Sequence, residues 1–405
     1  MKKYIAGILL LTGVANGVAQ NSNKVDFELG NGLNISLNNN KHHFNIGGYI
    51  QTGGSYSEVK DMNPEWKFDV KKAYLNFSGG LQDDKFTFLL QMDFAKNYPL
   101  LDAWMAYNPT KYLSISAGQK QSFSGTRSLM FNDEALALGN RSLVDRTFFG
   151  SGRELGVFVE SRIPVRSVGF DLGVAVTTGD GINSFGSSAS DFDLGGLKYS
   201  ARGTFYPMGF FAPGNDLTDT DFAREKSPKL LIGGAYSYNQ GASDAIGEGH
   251  GNFQLFDKNG KGAYPDYIKM SFDVMMKYQG FTFLAEYVDA WARNLNGLYT
   301  AATPGANLQP QQIADYLVLG SGISAQAGYL FKKNWAVDFR YSYVFPEWNE
   351  KNTLIQKTNA YRVGVAKYFI DNRLKLQLSG AYEQYNQMAQ NDRMISVELN
   401  AHIVF

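Results

Sequence analysis

The sequence contains few residue groupings that could carry out chemistry, and the most suggestive is a glycine-rich acidic segment. Residues 257–262 read Asp-Lys-Asn-Gly-Lys-Gly, which is similar to the start of a calcium-binding loop. The twelfth position of such a loop supplies a bidentate glutamate. Here that position is Ile268, and Lys261 stands where a ligand is required. The segment therefore does not predict a calcium site.

Signatures of hydrolytic chemistry are also missing. The four histidines show no HExxH spacing, and no GxSxG nucleophile elbow occurs. The absence of cysteine excludes a cysteine nucleophile, a thiolate metal site and a disulfide framework. We therefore predict no enzymatic activity, no metal and no cofactor. A barrel hydrolase of the phospholipase type remains an alternative, because wall and loops can bring a serine and a histidine together without a linear motif.

The remaining candidates for chemistry are basic side chains that could bind or steer a small anion. A guanidinium can make two parallel hydrogen bonds to an oxyanion, and an ammonium acts as a point charge. Such residues act together only if the fold turns them toward a common space. A single basic residue more often hydrates a surface or pairs with a neighbouring carboxylate. The seven candidates are Arg340, Lys120, Arg127, Arg202, Lys72, Arg362 and Lys277.

The elements that must position these residues are predicted most clearly by the last twelve residues, 394–405. Apolar residues from Ile395 to Phe405 alternate with polar ones such as Glu398 and Asn400. An apolar face, a polar face and a terminal aromatic residue are typical of a strand in an outer-membrane β-barrel, where lipid contacts one face and water the other.

The same alternation recurs along the chain and gives about sixteen candidate strands, each near the roughly 9 to 11 residues that a tilted membrane strand requires. It is clearest in segments 86–94, 168–176, 268–276 and 335–343. In segment 66–77 the apolar residues change from even positions up to Val70 to odd positions from Ala73, which predicts a β-bulge near Lys71 and Lys72. The predicted fold class is all-β: a transmembrane antiparallel β-barrel of about 16 strands.

The connections between these strands alternate in length, as expected for a barrel with short periplasmic turns and long outer loops. Short turns are predicted at 79–84, 108–111, 279–280, 332–334 and 371–373, and long loops at 121–152, 178–195, 239–266, 292–319 and 346–357. Segment 207–228 is long where the alternation requires a short periplasmic turn. It is either a periplasmic insertion or a sign that the strand count is wrong.

The amino-terminal residues predict export. Lys2 and Lys3 precede an apolar run that ends before small residues at Gly17 and Ala19, which indicates a secretory signal peptide at 1–19. We expect a periplasmic pre-barrel segment at 20–43 that forms a small hairpin, and the barrel at 44–405. No later apolar stretch is long enough for a transmembrane helix.

The chain resembles the phosphate-selective porin O and P family, in the version found in Bacteroidetes-like bacteria. The resemblance spans nearly the whole chain that follows the predicted signal peptide. It is carried by segments 44–51 (FNIGGYIQ), 70–77 (VKKAYLNF), 101–107 (LDAWMAY), 116–120 (SAGQK), 152–158 (GRELGVF), 283–287 (FLAEY), 325–330 (AQAGYL) and 339–342 (FRYS). It implies a sixteen-stranded barrel and a homotrimer. It also implies that the third outer loop, 121–152 in this sequence, folds inward as a constriction.

Charge does not decide the selectivity of such a channel. The formal net charge is zero, which excludes nucleic acid as a partner. Inward-facing basic and acidic residues are nearly balanced along the predicted wall. We expect an outer-membrane porin, embedded in lipid, for passive diffusion of small hydrophilic solutes, with anions such as phosphate or polyphosphate implied by the resemblance. The alternatives are the barrel hydrolase and a secreted soluble carbohydrate-binding β protein.

Overall fold

The structure, a computed structural model, describes residues 23–405 except 183–194, 250, 304, 349, 351 and 387–390. The predicted signal peptide at 1–19 lies outside the described residues.

Sixteen antiparallel strands, β3 to β18, form a closed barrel, as the alternation predicted. Each strand pairs with the next along the chain, and the last pairs with the first. The strands are β3 (His42–Val59), β4 (Glu65–Leu81), β5 (Phe86–Asp93), β6 (Leu100–Thr110), β7 (Leu113–Gln121), β8 (Arg153–Val165), β9 (Val168–Thr177), β10 (Lys198–Tyr206), β11 (Lys229–Asn239), β12 (Asp266–Tyr278), β13 (Phe281–Arg293), β14 (Gly320–Leu330), β15 (Trp335–Pro346), β16 (Lys357–Ile370), β17 (Leu374–Asn386) and β18 (Asn391–Val404).

The barrel closes along the carboxyl-terminal strand. The register of β18 on β3 runs from Met394 opposite Val59 to Val404 opposite Tyr49. Beyond the strand, the Phe405 N–H donates to the Gly48 carbonyl at 2.9 Å, and the Gly48 N–H donates to the Phe405 carbonyl at 2.6 Å. The alternation read from residues 394–405 thus belongs to the strand that removes the last open edge of the sheet.

The barrel is apolar outside and polar inside. On β18, Leu399 is 54% exposed on the exterior, whereas its neighbours Glu398 and Asn400 point inward and are buried. Bilayer hydrocarbon contains no water to satisfy free backbone groups, so a closed sheet with this exterior is a membrane-spanning barrel. The alternative of a soluble two-sheet carbohydrate-binding protein is therefore wrong, because the sheet closes on itself and its apolar side faces outward.

The predicted bulge is present on β4. Gln51 pairs with Lys72 and Thr52 pairs with Val70, which leaves Lys71 as the extra residue. Because of this extra residue, both lysines reach the lumen: the Lys71 ammonium lies 2.8 Å from a carboxylate oxygen of Glu398, and the Lys72 ammonium 2.7 Å from one of Asp133. The bulge thereby keeps both charges out of the lipid.

The short turns contain residues that tolerate left-handed backbone. The two-residue turn between β12 and β13 has positive φ at Gln279 and Gly280, and Asn334 and Asp371 adopt similar values in two other turns. A cluster of positive φ at residues 82–84 forms the turn between β4 and β5. These turns lie at one end of the barrel, and the long loops at the other.

Long connections enter the barrel from both ends. The 122–152 loop between β7 and β8 contains α1 (Leu143–Phe148) and two short 3₁₀ turns. The connection between β10 and β11, at the end with the short turns, also folds inward, and its Phe211 packs with Phe131 and Leu136 of the other loop. Segment 207–228 is therefore an insertion that enters from the periplasmic end, and the strand count was right.

Segment 20–43 contains a hairpin of β1 (Lys24–Glu28) and β2 (Gly32–Leu37). Its second strand, β2, pairs with the first residues of β3. At the opposite end, outer loops build an apolar core around Leu255, Ile313 and Leu317, which covers one side of the mouth. None of the described helices is long and apolar enough to cross a membrane.

We predict that Leu399→Arg lowers the free energy of unfolding from lipid vesicles by about 2–4 kcal/mol, because it puts a charge near the middle of the lipid face. Ser396→Arg is the matched control, since Ser396 faces an internal cavity on the same strand. Equal destabilisation by the two variants would contradict the assigned orientation of β18.

Candidate functional site

The interior of the barrel is partly filled by the 122–152 loop, which basic residues of the wall hold through its carbonyl oxygens. Lys375 on β17 donates to the Glu134 carbonyl at 2.5 Å and to the Leu136 carbonyl at 3.1 Å. Arg340 on β15 donates to the carbonyls of Asn140 and Arg141 at 2.9 and 3.1 Å. These bonds fix the middle of the loop against strands β15 to β17.

The beginning of the loop is fixed by a hydroxyl group between two buried carboxylates. The Ser128 hydroxyl lies 2.6 Å from Asp145 and 2.9 Å from Glu286 of β13, and the Ser128 N–H donates to Glu286 at 2.7 Å. Thr126 donates to the other oxygen of Asp145 at 2.8 Å. Asp145 belongs to α1, so these bonds join two parts of the loop to one another and to the wall.

The periplasmic segment 207–228 is held in the same way. The Lys277 ammonium on β12 donates to the carbonyls of Asn215, Thr218 and Thr220 at 2.6, 2.8 and 2.8 Å. All three donors of this buried ammonium are therefore used, which offsets the cost of removing its charge from water.

The two inserted segments also contact one another. Arg127 of the outer loop donates to the Asp216 carbonyl, with its Nε at 3.0 Å. The Ala137 N–H donates to the Asp219 carboxylate at 2.8 Å. Segments that enter from opposite ends of the barrel thus meet inside it and fill its interior beside strands β11 to β17.

Four of the seven predicted site residues are covered by these segments. Arg127, Arg202, Lys277 and Arg340 face the interior, and each is at most 7% exposed. Arg202 is typical, because it bonds to Asp273 of β12 at 2.5 Å and to the Gly125 carbonyl of the loop at 2.8 Å. The guanidinium and ammonium groups of these four residues are engaged by protein atoms.

The other three predicted residues lie at or beside larger internal spaces, one of which is also lined by Arg127 and Arg202. Lys72 and Arg362 line a cavity of about 580 Å³ between the 122–152 loop and strands β3, β4, β16, β17 and β18. Basic side chains outnumber acidic ones around it. The basic residues are Lys72, Lys96, Arg141, Arg146, Arg153 and Arg362, and the acidic residues are Asp133, Asp145, Glu383 and Glu398. We call this space the outer cavity.

The densest group of charges in the outer cavity surrounds Asp133. One of its carboxylate oxygens lies 2.7 Å from the Lys72 ammonium and accepts a hydrogen bond from the Tyr74 hydroxyl at 2.6 Å. The other accepts from Arg141 at 2.8 Å. Burial alone would raise the pKa of Asp133, but the charges of Arg141 and Lys72 outweigh it and hold this pKa well below its ordinary value. Asp133 is therefore ionised at neutral pH.

Two further cations of this cavity pair with other carboxylates. Arg362 donates to the Ser379 hydroxyl at 3.0 Å and lies 3.4 Å from Glu398. Arg146 of α1 bonds to Glu383 at 2.5 Å, yet its side chain is 46% exposed. A partly exposed guanidinium keeps donors that can reach a passing solute.

A second cavity of about 900 Å³ lies near the periplasmic turns. It is bordered by Arg162 and Asp171, which are 3.1 Å apart, and by Glu160. The Lys120 ammonium, the third of these predicted residues, lies 2.9 Å from Glu160 and over the rings of Trp104 and Phe158. Lys120 is therefore held between a carboxylate and two aromatic faces.

Sequence reasoning missed three residues of the outer cavity. Tyr74 and Arg153 follow the alternation of β4 and β8 and could have been placed in the lumen from it. Lys96 lies in the connection between β5 and β6, where alternation gives no direction. Within the part of the chain that the structure describes, no group of three or more His, Asp or Glu side chains is placed to hold a metal ion.

Solved structures share this fold at low sequence identity. The outer membrane channel DcaP of Acinetobacter baumannii is 13% identical, with a TM-score of 0.55 over 90% of this chain and 97% of that one. OprB of Pseudomonas putida is 10% identical, with a TM-score of 0.53 over 90% and 94%. An anion-selective porin from Comamonas acidovorans is 10% identical, with a TM-score of 0.52 over 89% and 100%. These likenesses show the fold.

No protein-family model matches the chain, and a search of curated protein sequences gave no match either.

We predict that Lys375→Met loosens the 122–152 loop, because it removes the ammonium that bonds to two loop carbonyls. Hydrogen bonds to charged groups contribute about 1.5–3 kcal/mol each, so the loss of two should lower the free energy of unfolding by about 3–6 kcal/mol, and current noise should rise. Single-channel recording and urea unfolding from vesicles measure the two effects. Lys332→Met, at an exposed periplasmic turn, is the control. Quiet currents in the Lys375 variant would show that the loop does not depend on this anchor.

Proposed function

We propose that the chain is an outer-membrane porin that lets small hydrophilic solutes diffuse passively, with a preference for small anions, and that it performs no chemistry. The observation that carries the proposal is the outer cavity, in which six cations face four carboxylates inside a closed barrel. The polar inner wall supports the channel function, and the excess of cations supports the preference.

The charges of the outer cavity matter more than those of the whole wall. In a wide, water-filled pore, salt screens fixed charges within about 8–10 Å. In a narrow space between a folded loop and the wall, a solute loses part of its hydration and approaches the charges closely. We therefore infer that solutes pass through the outer cavity, between the 122–152 loop and strands β3, β4 and β16 to β18.

Phosphate is the finer proposal, and it comes from the family resemblance together with the guanidinium groups of the outer cavity. Arg141, Arg146 and Arg153 line a common space, and guanidinium groups suit an oxyanion. The homotrimer, the signal peptide at 1–19, the pre-barrel segment at 20–43 and the role of 121–152 as the constriction are proposed on the resemblance and the sequence pattern.

We predict that Lys72→Gln and Arg362→Gln each reduce the preference for chloride over potassium, because each removes one cation from the outer cavity. In a planar bilayer under a potassium chloride gradient, the reversal potential should move toward that of potassium, and further in the double variant. Arg373→Gln removes a charge from a periplasmic turn outside the cavity and should leave the potential unchanged.

Two outcomes would contradict the proposal. Wild-type protein that inserts correctly but carries no current would refute the channel function. A reversal potential that is unchanged in the double variant would show that the outer cavity does not set the selectivity.

A further inference from the structure

We propose that Asp133 limits the anion preference of the passage by occupying, as a built-in anion, the place that a solute oxyanion would take between Lys72 and Arg141. The inference rests on the proposed channel function and identifies Asp133 as a residue that sets the anion preference.

The contacts of Asp133 are those of a bound oxyanion. Lys72, Tyr74 and Arg141 direct an ammonium, a hydroxyl and a guanidinium at the two carboxylate oxygens, at 2.7, 2.6 and 2.8 Å. Charge-assisted donors at these distances are what proteins use to bind phosphate or carboxylate ligands. All four residues line the outer cavity, so the group lies beside the space that solutes would cross.

The side chain of Arg141 and the backbones of Lys72 and Tyr74 are held in place without help from Asp133. Arg141 also donates to the carbonyls of Ser128 and Phe131 at 2.6 and 2.9 Å. Lys72 and Tyr74 are placed by the register of β4 against β3. Removing the charge of Asp133 should therefore leave an assembled oxyanion site and not a collapsed one.

The loop is also anchored independently of Asp133. Lys375 and Arg340 hold its middle, and Ser128 holds its beginning. A substitution at Asp133 should therefore change the charge of the passage without releasing the loop.

Glu160 offers a matched comparison. It is a lumenal carboxylate that pairs with the single cation Lys120 at 2.9 Å in the other cavity. Removing its charge frees one cation, whereas removing that of Asp133 frees two cations and a hydroxyl around a gap of carboxylate size. Glu160→Gln therefore shows what the loss of any lumenal acid does to ion selectivity.

The test compares wild type, Asp133→Ser, Asp133→Glu and Glu160→Gln in planar bilayers. Serine removes the carboxylate and leaves room for a phosphate oxygen. Asp133→Ser should move the reversal potential toward that of chloride, and inorganic phosphate should block its chloride current at a concentration about tenfold lower than in wild type, as expected for about 1.4 kcal/mol of added affinity. Asp133→Glu should behave like wild type, and Glu160→Gln should shift the potential without the gain in phosphate block. If Asp133→Ser does not insert, Asp133→Ala replaces it.

The outcomes separate this inference from the proposed function. A wild-type protein without current would refute the channel itself. A conducting wild type with unchanged phosphate block in Asp133→Ser would refute the role of Asp133 alone. An equal gain of phosphate block in Glu160→Gln would also refute it, because any lumenal acid would then act in the same way.

Discussion

The whole structure depends on the requirement that no backbone N–H or C=O group be left unpaired in lipid. A sheet satisfies this requirement only when its first and last strands pair, and here β18 does so with β3 along eleven pairs from Met394–Val59 to Val404–Tyr49. Closure in turn gives every strand one face toward lipid and one toward the interior. The bulge at Lys71 follows from the same closure. The extra residue shifts the alternation of β4 by one position, so that both Lys71 and Lys72 point into the lumen and not into lipid.

The basic residues inside the barrel fall into two groups with different surroundings. Lys277, Lys375, Arg202 and Arg340 are buried, and their donors bond to loop carbonyls or to a carboxylate. A buried charge left without such partners would cost several kcal/mol. The cations that border the outer cavity pair with carboxylates but keep exposed edges. The buried residues hold the inserted segments in place, and the residues of the outer cavity set the charge of that cavity.

The alternation of apolar and polar residues predicted the strands well. Side chains of a strand point to one of two faces, and only the apolar face can contact lipid. The phase change between Val70 and Ala73 even located the bulge, and Gln279-Gly280 located a tight turn. Pattern could not predict what fills the barrel. Arg340 faces the interior, but whether an inward side chain meets water or a loop depends on contacts between residues far apart in sequence, such as Arg340 with Asn140. The inward course of segment 207–228 could not be predicted either, because it depends on contacts with distant residues such as Lys277.

The central claim is that solutes cross the barrel through the outer cavity, and the absence of native cysteine makes it directly measurable. Ser396→Cys places one thiol in the cavity, and Leu399→Cys places one on the lipid face of the same strand. A charged, membrane-impermeant thiol reagent added during single-channel recording should reduce the current in steps for the Ser396 variant and leave the Leu399 variant unaffected. If the thiol at position 396 is modified and the current does not change, the passage lies elsewhere and the account is wrong.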